Sequence, residues 1–328
     1  MSVTETDDSA YARYLIRLVD RLWEYRYEAF GADEGLFDSP RRRPERAPVF
    51  RPESGDLNVL VPPDADPAAA RRIRRAIPPG NRHRYFGSMR SSQALAQSVF
   101  ANLQASHEVA ALAGWTDDDG LPIFPDGEVG EMRLEHTVGH LREPRPTQID
   151  VWFAGTTRVA VECKLTEAEV GSCSRPQLQP DDPGHCDGTY RRQQDRAARC
   201  TLTEIGVAYW DFVPRLLIWP ADRDLSPCPL HHTYQLVRNL LAACVTTGGN
   251  IDPDHGLAVL LYDDRNPANH PDGAVGSAWA QVTGSLRSPG LLRRCSWQRL
   301  LGHLRRQQAA TWLLQALEDK YGLVGTAG

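Results

Sequence analysis

The sequence predicts an α/β fold with a mixed central β-sheet flanked by helices, preceded by a helical and irregular N-terminal extension. Three observations lead there. Strand-length segments separated by turn residues cluster between 131 and 165. A continuous apolar run recurs at Leu257–Tyr262, as expected of a strand buried on both faces. Segments of helical apolar spacing interleave with these strands.

In chain order, residues 9–30 read as an amphipathic helix, with Tyr11, Tyr14, Leu15, Leu18, Leu22 and Tyr25 on one face. The Pro- and Arg-rich stretch from Asp38 to Pro79 reads as irregular structure wrapping the domain, with a short helix near 67–76. The pair Ser91–Ser92 offers a cap for a helix running through Ala94, Leu95, Val99, Phe100 and Leu103. Strands are expected at Glu131–Val138, Gln148–Phe153, Val159–Leu165, Arg215–Trp219 and Leu257–Tyr262, and helices at 188–210, 232–246, 290–304 and 307–321. The chain thus divides into an extension over 1–84 and a main domain over 85–328.

Composition narrows the class. No apolar stretch approaches the roughly 18 residues of a membrane span, and the acidic N-terminus lacks the basic and apolar regions of a secretory signal. A cytoplasmic protein with no membrane association is expected. The seven cysteines are an odd number, spread from Cys163 to Cys295, so reduced thiols are the default. Net charge is −5, which does not by itself mark a nucleic-acid binder. Of the 37 basic residues 35 are arginine; Lys164 and Lys320 are the two lysines. A lysine retained in such a background points to a position where a compact ammonium cannot be exchanged for a planar, permanently charged guanidinium.

The segment from Thr147 to Glu167 holds two short strands around a Gly-Thr-Thr turn. Pairing Phe153 with Val159, Val151 with Val161 and Ile149 with Cys163 puts the apolar residues on one face. Asp150 then lies opposite Glu162, and Lys164, two residues on, points the same way. Two carboxylates and an amine gathered in this way suit metal-assisted phosphodiester hydrolysis. The carboxylates and the Cys163 carbonyl are hard oxygen donors for Mg²⁺, and the ammonium orients water or offsets charge. An exposed cross-strand salt bridge is the competing reading.

On these residues the sequence resembles the PD-(D/E)xK nuclease superfamily, with Thr-Gln-Ile-Asp at 147–150 and Val-Glu-Cys-Lys at 161–164 matching its motif. Ser-Ser-Gln-Ala at 91–94, Cys-Asp-Gly-Thr-Tyr at 186–190, Tyr-Gln-Leu-Val-Arg-Asn at 234–239 and Asp-Lys-Tyr-Gly at 319–322 make it look like a restriction-endonuclease-like branch. The resemblance spans about 85–322. It implies a restriction-endonuclease-like fold, a DNA substrate, Mg²⁺ with Mn²⁺ able to substitute, and a restriction or defence role. A catalytically silent, DNA- or partner-binding protein of the same fold is the alternative. Cutting both strands calls for a homodimer or for sequential nicks. Relatives often add an acid: Glu135 is preferred as a further ligand over Gln93 and Glu108. Some also place a glutamine on a later helix, for which Gln235 competes with Gln193.

Cys173, Cys186, Cys200 and Cys228, with His185, His231 and His232 nearby, are a candidate Zn²⁺ or iron–sulfur set. No pair has Cys-x₂-Cys spacing, so buried thiols are the expected reading. Seven arginines and no acid lie between Arg71 and Arg90, and Arg82, Arg84 and Arg90 are expected to contact DNA phosphates. A second acid-free run, Gly273–Leu317, is a further candidate.

Overall fold

The computed structural model describes residues 3–31, 33–38, 42, 45–190 and 200–326, with the side chains of 3–9 excepted. Five strands form one sheet in the order β1 (Glu131–Val138), β2 (Thr147–Ala154), β3 (Arg158–Cys163), β4 (Gly256–Tyr262), β5 (Leu292–Ser296). The first three are antiparallel neighbours; β3–β4 and β4–β5 are parallel. The sheet is mixed and helices flank it, as the sequence predicts.

Side-chain alternation sorts the sheet into two apolar layers. Val151, Phe153, Val159, Val161, Cys163, Val259 and Leu261 pack in a core shared with α1 (Val3–Phe30), α3 (Ser92–Ala105), α8 (Trp297–Arg306) and α9 (Thr311–Tyr321). Trp152, Ala160, Ala258 and Leu260 pack on the opposite face with α5 (Tyr209–Leu216), α6 (Tyr234–Cys244) and α7 (Ala274–Thr283). The extension is joined to this body, because Tyr14, Leu18 and Leu22 of α1 are buried in the first core. Tyr14 also donates to the Leu165 carbonyl at 2.8 Å, just past β3. Short helices α2 (Pro67–Arg75) and α4 (Thr201–Glu204) complete the described set. Ser91 caps α3 by accepting from Ala94 N at 3.2 Å.

Three expectations need correction. Arg215–Trp219 is not a strand: it begins in the last turn of α5, and Leu217 makes one isolated bridge to Leu286. The buried set Tyr209, Phe212, Val213 and Leu216 follows helical spacing, which decides a short apolar run that alternation leaves ambiguous. The stretch 290–304 is not one helix but β5 followed by α8, with Ser296 accepting from Arg299 N at 3.1 Å as the cap between them. The 188–210 helix resolves into α4 and the start of α5, while 191–199 lie outside the described residues. Helix α7 adds an element beyond the expected set, burying Gly276 and Ala278 beside Val275 and Val282. Among the described residues no helix is long and apolar enough to cross a membrane.

Lys320 explains its own retention. It is buried on α9, and its Nζ donates to the Asn58 side-chain oxygen at 2.8 Å and to the Asn58 carbonyl at 2.5 Å. Burial pushes its pKa down to about 7; arginine would stay charged there. Between about 7 and the ordinary lysine value, the unfolded chain binds the proton and the folded chain does not. Stability should therefore rise with pH through that window by up to a few kcal/mol, since each tenfold change in proton affinity is worth about 1.4 kcal/mol. Denaturation at pH 7 and pH 9 checks this: Lys320→Gln should flatten the rise. A rise equally steep in the variant would assign it to other groups.

Candidate active site

A cleft of about 1300 Å³ opens where the ends of β1, β2 and β3 meet the N-terminal ends of α3 and α6. The hairpin register matches the sequence reading at Phe153↔Val159 and Val151↔Val161. Continued by one step it sets Asp150 across from Glu162. There the ladder gives way to a side chain, as Asp150 Oδ2 accepts from Cys163 N at 2.7 Å. The expected pairing of Ile149 with Cys163 is not made: Ile149 packs with Trp152 and Ala160 in the second core, and Cys163 lies in the first. The change of face falls beside Glu135, whose φ of 48° interrupts β1 between the pairs Leu134↔Val151 and His136↔Ile149. A non-glycine residue in the left-handed region costs about 1–3 kcal/mol, and this one carries a buried carboxylate that lines the cleft.

Glu162 and Lys164 form a buried ion pair at 2.8 Å. Gln235 joins the two: its Oε1 accepts from Lys164 Nζ at 2.8 Å, and its Nε2 donates to Glu162 Oε1. Asn239, one helical turn further along α6, donates to Glu162 Oε2 at 2.7 Å. Gly171, at φ 94°, backs Gln235 so closely that a β-carbon there would meet Gln235 Oε1 at 2.5 Å. On the other wall Gln93 of α3 donates to Glu135 Oε1 at 2.7 Å. Glu167 accepts from Ser92 Oγ at 2.6 Å and from Leu165 N at 2.7 Å, closing the floor below Lys164.

The electrostatics are those of crowded carboxylates beside one ammonium. Burial raises the Asp150 carboxyl well above its ordinary range, and the charges of Glu162 and Glu135 raise it further. Burial and Glu162 lift Glu135 to about 7, against the hydrogen bond from Gln93. For Lys164 burial acts to lower the pKa, but Glu162, Glu167 and Asp150 outweigh it and the net direction is upward. Lys164 thus stands as a cation among these carboxylates.

The donor set fits Mg²⁺ in kind. That ion takes hard oxygens, needs only one or two carboxylates and keeps several waters; the like charges of Glu135, Asp150 and Glu162 are what a cation would relieve. Among the described residues no three or more His, Cys, Asp and Glu side chains stand together as a ready-made metal cage.

Of the residues singled out in the sequence, Glu135, Asp150, Glu162, Lys164 and Gln235 line this one cleft, as does the backbone of Cys163. The Cys163 thiol points into the apolar core, where burial pushes its pKa up. Glu108 is elsewhere, accepting from Ser106 Oγ and Ala310 N. Gln193 lies outside the described residues. Arg84 and Arg90 are exposed at the rim, with Arg84 over the Tyr85 ring at 4.4 Å. Arg82 also lines the cleft but is committed to the protein. It pairs with Asp56, donates to the Ile77 and Arg74 carbonyls and covers Phe86. The acid-free run near the C-terminus turns away from the cleft: Arg293 and Arg294 face Asp117 and Asp118, and Arg299 bonds Thr116. Sequence reasoning missed Arg238, 4.0 Å from Glu162 Oε2, and Glu167. Arg238 was findable as the residue three positions after Gln235 on one helix face.

A family model described as Restriction Endonuclease associating with ARP matches residues 57–322. No curated protein and no solved structure gave a match.

Proposed function

The chain belongs to this restriction-endonuclease family, and from that premise we propose that it is a Mg²⁺-dependent DNA endonuclease acting in restriction or defence. The observation that carries the reading is the network of Glu162, Lys164, Gln235 and Asn239 facing Asp150 and Glu135 across an arginine-rimmed cleft. Asp150 and Glu162, aided by Glu135 and the Cys163 carbonyl, are the groups that would hold Mg²⁺ or Mn²⁺, which when bound polarises the scissile phosphate and acidifies water. Lys164 supplies a fixed positive charge beside the attacked phosphate. Gln235 holds Lys164 and Glu162 in one orientation, and Asn239 fixes the second oxygen of Glu162. The family's description names an association with ARP, and the chain is proposed to act alongside that partner.

Incubation with plasmid and phage DNA, with and without Mg²⁺, tests the activity. Mg²⁺-dependent nicks or breaks that vanish in Lys164→Ala are expected. Binding without cleavage under every metal condition would replace the reading with a silent DNA-binding protein.

Substrate contact is separable from the chemistry. Reversing charge at Arg84 and Arg90 should weaken DNA binding and reduce the slope of log affinity against log salt by about one per lost phosphate contact. Arg82→Glu should instead lower the melting temperature, because it breaks an ion pair and two carbonyl bonds. Binding titrations at several salt concentrations decide; an unchanged slope in the Arg84/Arg90 variant would remove both from the interface.

A further inference from the structure

We propose that Cys173, Cys186, Cys200 and Cys228 form a structural tetrathiolate site for a single Zn²⁺ ion, in the segment that joins β3 to α6. The four come from separate stretches of chain, yet all line one cavity of about 20 Å³. Nothing in their spacing requires that meeting. Cys173, Cys200 and Cys228 pack together at the margin of the second sheet core, whereas Cys163, Cys244 and Cys295 lie singly within the two cores. All seven are free thiols, so the four are not gathered by disulfides.

Three further features favour a cation. The backbone N–H of Arg175 lies toward the Cys173 sulfur, that of Leu202 toward Cys200 and that of Leu230 toward Cys228. Each donor is two residues beyond its cysteine and favours thiolate over thiol, against burial, which raises the pKa of all three and that of Cys228 to about 12. The cavity has room for about one water-sized sphere, the size of a single ion. Between Thr166 and Thr233 the described helices are short, and a metal crosslink would tie together the described loops that carry the four cysteines. The sulfurs are not drawn in to coordinating distance, as no such group is closed among the described residues. Binding must therefore rotate the side chains inward to Zn–S distances of about 2.3 Å.

The site stands apart from the proposed nuclease centre, and its test does not use cleavage. The full chain is purified without chelators and its zinc and iron are measured by elemental analysis. About one zinc per chain is expected, with the Cys186→Ser/Cys228→Ser double variant losing it and Asp150→Asn keeping it. If the double variant does not fold, the wild-type protein still answers. A thiol reagent should leave these four cysteines unreacted until a chelator withdraws zinc, and then label four more thiols per chain. Zinc retained in the folded double variant would overturn the proposal. So would stoichiometric iron with labile sulfide, disulfides among the four by mass spectrometry, or thiols whose reactivity is indifferent to added Zn²⁺.

Discussion

Asp150→Asn is expected to abolish cleavage and, in the absence of Mg²⁺, to make the protein more stable. The carboxylate is held among Glu162 and Glu135 with its charge partly desolvated, so its pKa is raised. A raised carboxyl is a destabilising group once ionised. The folded chain holds the proton where the unfolded chain releases it, so metal-free stability falls as pH climbs from the ordinary carboxylate range through about 7, the value reached by Glu135. Asparagine removes the repulsion and keeps an oxygen to accept from Cys163 N. A gain of about 0.5–2 kcal/mol is typical for relieving such a site. Loss of a group on which transition-state charge depends costs about 10²–10³-fold or more in rate. Melting curves with and without Mg²⁺, beside plasmid cleavage, check both halves: Mg²⁺ should raise the wild-type melting temperature and leave Asp150→Asn unmoved. A variant that cuts normally, or that is less stable than wild type in the absence of metal, would remove Asp150 from the metal site.

The parts of this structure legible in the sequence were those fixed by a local rule. The hairpin could be read because one register buries Val151, Phe153, Val159 and Val161 together, and that register is the one found. Helix α3 could be read from its serine cap, and β4 from an apolar run too short for a helix. What stayed hidden depended on the partner and not on the segment. Strand β5 reads as part of a helix because its apolar residues Leu292 and Cys295 stand three apart, and its strand character comes from parallel pairing with β4. The change of face at Ile149 follows from the backbone of Glu135 on the adjacent strand. No pattern within β2 announces it.

The same distinction runs through the site. Asp150, Glu162 and Lys164 share one hairpin, so periodicity alone placed them. Gln235 arrives from the far side of a long insertion, and its place beside Lys164 and Glu162 depends on how α6 packs against β3. Arg82 shows what a count along the chain leaves out. A run of arginines without acids looks like a phosphate-binding surface, but charge counted along the chain ignores Asp56, which folds back to pair with it. Cysteine spacing tests for ligands brought by one tight turn and does not register that Cys173, Cys186, Cys200 and Cys228 line one cavity from separate stretches of chain.

Lys164→Arg is expected to be nearly as damaging as Lys164→Ala, with cleavage falling about 10²–10³-fold, the range for loss of one group that stabilises transition-state charge. The ammonium occupies a buried point defined by Glu162 at 2.8 Å and Gln235 at 2.8 Å, with the backbone behind it fixed by Lys164 N donating to Leu261 O. Guanidinium is larger, planar and spreads its charge, so it cannot enter that point without displacing Gln235 against Gly171, where a β-carbon already has no room. Because Lys164 keeps its proton throughout the neutral range, the loss should be in the pH-independent rate and should not shift the pH profile. An exposed salt bridge predicts the reverse, since arginine replaces lysine there at a cost of about 0–1 kcal/mol. The deciding measurement is the single-turnover rate of Lys164→Arg at saturating Mg²⁺, with DNA affinity and melting temperature taken on the same preparation. A rate near wild type would make Lys164 a structural ion pair and leave its retention among 35 arginines to Glu162 alone.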